Sequence, residues 1–141
     1  AKSLNKSLSC ISEMELKLLL DMLNVQDKSL LNAFYGSTLA FLKRWDVTEP
    51  DFIFVSDFGK QEPRVVGIFN DHLPKHIFIS NNIFYANQET QLYYILHEII
   101  HYCDGFIYGD LRSEVETDIQ ALNLLIEFGI INQDDVLIVP D

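Results

Sequence analysis

Basic side chains are scarce in this chain. Ten lysines and arginines stand against 21 aspartates and glutamates, a formal net charge of −11 over 141 residues, and no Lys/Arg cluster interrupts the excess. A phosphate backbone would be repelled, so no nucleic-acid partner is expected. The acidity reads first as solubility and second as complementarity to a basic protein partner. Cysteine is scarce too. Cys10 and Cys103 could form at most one bridge, which is no disulfide framework, and both are expected as reduced thiols in a cytoplasmic protein. An apolar run of membrane-spanning length is missing, as is a basic, apolar, small-residue leader pattern, so neither a membrane span nor a signal sequence is expected. Internal repeats, low-complexity tracts and linker-like composition shifts are also lacking. What is present is a 48% hydrophobic chain of mixed periodicity, enough for one domain over residues 1–141 with a core of its own.

The first 45 residues read as a helical scaffold. Residues 12–23 carry Ser12 as a candidate N-cap, Glu13 and Glu15 in the first turn, and a broad stripe from Met14 to Leu23. Residues 27–45 repeat the plan, with Leu30, Leu31, Phe34, Leu39 and Phe41 on one stripe and Lys43 and Arg44 in the last turn. Residues 52–80 then hold three strand-like runs, at 52–56, 64–69 and 76–80, separated by turn-forming stretches whose lengths suit an antiparallel meander. The expected fold is α+β: a small three-stranded antiparallel sheet packed with about four helices. A motif helix is expected over 88–104, a loop over 105–110, and a further helix over 112–128 that stops at Gly129. Residues 134–141 read as a short strand or extended tail.

The chemistry concentrates in LYYILHEIIHYCD, residues 92–104. Residues four apart lie on one helical face, about 6 Å apart along the axis, so His97 and His101 can direct two imidazole nitrogens at one ion. Glu98 flanks that pair, placed to act as a base on a metal-bound water. The pattern is the zinc-peptidase spacing HExxH. A core helix with two hydrogen-bonded histidines is the plain alternative. Leu92, Ile95, Leu96, Ile99 and Ile100 leave this helix little solvent face, however, and burying His, Glu and His without a partner is costly. A bound cation makes that burial reasonable.

A catalytic zinc site takes three protein ligands and keeps an open position for water. The pattern with a third histidine six residues past the second is excluded, because Ile107 stands there. The pattern with a carboxylate on the next helix has Glu114, Glu116, Asp118 and Glu127 to draw on, and spacing alone does not choose among them. Asp104, three residues past His101, is placed to orient that ring from behind or to cap the helix.

The order strand, short loop, HExxH helix, loop and acidic helix resembles the ImmA/IrrE-like metallopeptidases. HIFISNN (76–82) followed by LYYILHEIIHY (92–102) is similar to that family's strand and motif helix, and ETDIQALNLL (116–125) to its third-ligand helix. The resemblance covers residues 65–125. It implies Zn2+ held by His97, His101 and Glu116, with Asp118 and Ala121 on the family's Asn/Asp and alanine positions. Thr117 and Gln120 depart from its Ala and Phe, and no Met-Pro follows the paired leucines. Those departures keep Glu114 as the alternative ligand, with Asp118 spaced to steady a histidine.

The function expected on this reading is zinc-dependent endopeptidase, with Glu98 as base. The resemblance implies a regulatory, repressor-like protein as substrate, of the kind tied to mobile genetic elements. Two other readings compete: a metal-containing module that sequesters a regulatory partner without cutting it, and a metal-free interaction domain.

Overall fold

A computed structural model of the chain describes residues 14–55, 76–107 and 113–132. Their order is α1 (Leu16–Met22), α2 (Lys28–Arg44), β1 (Asp51–Val55), β2 (His76–Ser80), a 3-10 turn (Asn81–Tyr85), α3 (Gln88–Ile107) and α4 (Glu114–Glu127). Among these residues no helix is long and apolar enough to cross a membrane.

The first helix starts later than its apolar stripe suggests. Met14 is extended and exchanges two backbone hydrogen bonds with Phe52, of 2.9 and 2.7 Å, in an antiparallel bridge. Helix α1 begins beyond that bridge, where the Glu49 carboxylate accepts from the Leu16 N–H at 3.2 Å. A distant residue therefore caps this helix, and Ser12 lies outside the described residues. Leu16, Leu19 and Leu20 turn inward while Leu18 and Met22 stay exposed. Helix α2 follows its local signals closely. The Asp27 carboxylate accepts from Ser29 N–H and Leu30 N–H, satisfying donors that the first turn leaves free.

The expected three-stranded antiparallel sheet is corrected. The described residues are mostly helical, and their one strand pair, β1 with β2, is parallel, in the register Asp51↔His76 to Val55↔Ser80. The first and third strand-like runs thus pair directly, which excludes consecutive hairpins; the middle run, 64–69, lies outside the described residues. Two features of the sequence agree with the parallel arrangement. Residues 56–75 separate the strands, and parallel neighbours need a connection of a dozen residues or more. Both strands also read as apolar at their centres without clean alternation, a pattern that parallel strands share. Phe52, Ile77 and Ile79 are all buried.

Helix α3 occupies the centre, with residues 90–104 all buried. Asn87 caps it through Thr90 N–H at 2.8 Å. Buried Gln91 accepts from Asn24 N–H at 3.1 Å and donates to Ala86 O at 2.9 Å, tying the α1–α2 connection to the start of α3. Near the other end, the Tyr102 hydroxyl donates to Thr48 O at 3.0 Å. These two anchors hold the motif helix across the scaffold. Its end is also corrected: the helix continues through Gly105 to Ile107 instead of stopping at Asp104. A glycine stops a helix only when it takes a left-handed conformation just past the end, and Gly105 remains helical.

Gly129 does take that conformation, with φ 80°. Gly129 N–H reaches Ile126 O and Ile130 N–H reaches Leu125 O, at 3.1 and 2.9 Å, closing α4 in a Schellman motif with Ile130 buried. Helix α2 ends in the same motif with Asp46, φ 55°, in the glycine's place. A Cβ at Gly129 would meet no neighbouring atom within 4 Å, so only backbone strain opposes a side chain there. Gly129→Ala should therefore lower stability by about 1 kcal/mol. Urea unfolding checks this, with a reduced midpoint expected and an unchanged slope; an unaltered midpoint would contradict it.

Candidate metal centre

Helices α3 and α4 pack side by side, and the polar residues of α3 face the first turns of α4. His97 and His101 sit one turn apart with ring centroids 4.7 Å apart and planes at 78°. Their Nε2 atoms are 3.1 Å from each other. The Glu114 carboxylate closes the triangle: Oε2 lies 3.0 Å from His97 Nε2, and Oε1 lies 2.8 Å from His101 Nε2. The two imidazoles are buried, while the Glu114 side chain is 74% exposed. The cluster therefore opens to solvent on its α4 side.

His97, His101 and Glu114 are thus close enough to hold one metal ion. The chemistry of the donors supports that use. Asp118 Oδ1 lies 2.9 Å from His97 Nδ1, off the direction of an aligned hydrogen bond but close enough for its charge to favour a proton on that nitrogen. His97 Nε2 then turns a bare lone pair inward, toward a second imidazole and a carboxylate. With a proton on its own Nε2, His101 donates to Glu114 Oε1; without one, the three groups present three lone pairs to a common point, the arrangement that a cation would satisfy. The 3.1 Å between ring nitrogens also approaches the edge of a tetrahedron with 2.0–2.1 Å bonds, about 3.3 Å. His101 Nδ1 is buried with no hydrogen-bond partner among the described residues, so the ring has no outer acceptor of the kind that Asp118 gives His97.

Glu98 is nearly buried, with a carboxylate oxygen 3.9 Å from His97 Nε2. Burial, and after it the negative charge of Glu114, push its carboxyl up to about 8. Burial also lowers the pKa of His97, reinforced by His101 and opposed by Glu114 and Asp118. A neutral imidazole is the form that binds a metal. The Tyr93 phenol, one turn before His97, donates to Asp118 Oδ1. Burial and that hydrogen bond push its pKa well above the usual range, so it stays a donor.

The structure brings Glu98, His97, His101, Glu114 and Asp118 together and leaves Glu116 outside. Glu116 is exposed at the start of α4, where its N–H donates to Ser113 Oγ at 3.2 Å and its carboxylate accepts from the Ser113 hydroxyl at 2.9 Å. The acid that faces the two histidines is thus Glu114, not the expected Glu116, which lies two residues later and about 200° around the helix. The signal that separates them was present in the sequence: Ser113-x-x-Glu116 is a capping-box spacing, which commits the second acid to the cap. Asp104 is buried one turn past His101 but does not hydrogen-bond His101 Nδ1. Cys103 is a buried free thiol, and Cys10 lies outside the described residues, as do residues 108–112 and 133–141.

No family model, curated protein or solved structure matches the chain.

Exchanging the two acids separates their roles. Glu114→Ala should weaken metal binding by orders of magnitude, because it leaves only two ligands. Glu116→Ala should leave metal binding intact and cost only about 0.3–1 kcal/mol of stability, because the Ser113 cap on its backbone N–H remains and only an exposed first-turn acid is lost. Metal titration and chemical unfolding of both variants check this. Metal lost with Glu116 and retained without Glu114 would reverse the assignment.

Proposed function

We propose that this protein is a zinc-dependent endopeptidase, with His97, His101 and Glu114 holding the ion and Glu98 serving as base. The observation that carries the proposal is the exposed third ligand. Two buried imidazoles and a solvent-facing carboxylate make a site with an accessible side, the arrangement of a catalytic centre; structural zinc is closed by four ligands. Two nitrogen donors and one carboxylate suit zinc, a borderline ion without directional preference. Zinc bound there would supply Lewis acidity, lowering the pKa of a bound water toward about 7 and polarising a carbonyl.

The remaining steps belong to the chain. Glu98, outside the ligand set and 3.9 Å from a ligand nitrogen, accepts a proton from the attacking water and returns it to the departing amine. Burial raises the basicity of its carboxylate, which helps the first transfer, and the positive charge of an ion beside it would draw that pKa back toward neutrality. Asp118 keeps the His97 proton on the outer nitrogen, so that the inner one remains a donor to the ion. The resemblance to ImmA/IrrE-like metallopeptidases adds a substrate class, a regulatory, repressor-like protein.

Glu98→Gln preserves shape and ligands and removes the base. It should bind zinc as wild type does, while cleavage of an unfolded protein substrate, followed by mass spectrometry, falls about 10²–10⁴-fold. Equal cleavage by the variant would remove Glu98 from the mechanism. Failure of both proteins to cut, with retained binding of a common partner, would favour a sequestering module instead.

A further inference from the structure

We infer that Tyr93 is a positioning residue for the metal centre, its hydroxyl fixing the Asp118 carboxylate that in turn fixes the His97 ring. The inference rests on reading His97, His101 and Glu114 as metal ligands. Tyr93 lies one turn before His97 on α3 and is only 2% exposed. Its hydroxyl donates to Asp118 Oδ1, the same oxygen that lies 2.9 Å from His97 Nδ1. The two rings also touch, with centroids 5.9 Å apart and planes tilted by 47°. Tyr93 therefore meets His97 twice, directly as a wall and indirectly through the carboxylate.

Asp118 needs such an anchor. It belongs to the other helix, its side chain is 45% exposed, and its approach to His97 is close without hydrogen-bond alignment. A carboxylate so placed would exchange among rotamers and water partners if nothing else held it. The phenol comes from the buried helix that carries both histidines, so it ties Asp118 to the frame of the ligands themselves. Packing alone does not explain the hydroxyl, since a phenylalanine ring would fill the same space; a buried phenol is retained where its hydroxyl has a partner.

A double-mutant cycle tests this. Tyr93→Phe removes the hydroxyl and keeps the ring, and Asp118→Ala removes the carboxylate from a half-exposed position. Zn2+ affinity, measured by competition with a chromophoric chelator, should fall about tenfold for Tyr93→Phe and about 10–100-fold for Asp118→Ala, the range for groups that orient metal ligands. The double variant should fall no further than Asp118→Ala alone. In Co2+-loaded protein the visible bands should shift in each single variant, which a packing defect away from the ligands would not produce. Unchanged affinity in Tyr93→Phe, or losses that add in the double variant, would overturn the inference and leave the metal site standing. Wild-type protein that binds no Zn2+ would overturn the metal reading and this inference together.

Discussion

The central constraint on this structure is the cost of desolvating polar groups on a buried helix. Helix α3 is enclosed along residues 90–104, yet it carries Gln91, His97, Glu98, His101 and Asp104 within that stretch. Each needs compensation, because an unpartnered buried polar group costs kilocalories, not tenths. The surroundings supply it unevenly. Gln91 is satisfied by backbone at Asn24, between α1 and α2, and at Ala86, just before α3, and its two hydrogen bonds are structural. The histidines are met by carboxylates from α4, whose position is thereby dictated by electrostatics as much as by the packing of Thr117, Ala121, Leu124 and Leu125. Of those carboxylates Glu114 sits in the first turn of α4, where the helix dipole also favours negative charge. Glu114 therefore stands where the helix start and the buried imidazoles both favour a negative charge.

The motif helix was legible because its signals are local. Spacing of four between His97 and His101 dictates a shared face in any α-helix, and the apolar residues around them announce burial. Asp27, Lys43, Arg44 and Gly129 likewise act within a turn of themselves, and the ends of α2 and α4 follow them. Choosing Glu114 over Glu116 depended on where α4 begins. A helix rotates by about 100° per residue, so locating its first turn decides which acid faces inward. The resemblance favoured Glu116, whereas the Ser113 cap assigns that acid to the helix end. The late start of α1 was not locally written, because Met14 is drawn out of the helix by Phe52 and Leu16 is capped by Glu49.

Strand direction was the other non-local property. Apolar runs of five residues look alike in parallel and antiparallel sheets, and the turn residues between them favoured hairpins. The stronger indication was the apolar centre of DFIFV and HIFIS, where consecutive Phe and Ile residues show no alternation. In the chain the end of β2 runs straight into the turn at Asn81–Tyr85 and from there into α3. The motif helix is thus delivered by a strand whose register is set by β1.

The three candidate ligands lie close together along the chain. His97 and His101 are four residues apart, and Glu114 follows His97 by 17. Bringing such near neighbours together has a small loop-closure entropy, and it does not wait for the pairing of β1 with β2. An ion bound by this set would therefore ask only for the contact of α3 with α4, and its hold on the chain would be local, independent of the register of β1 with β2.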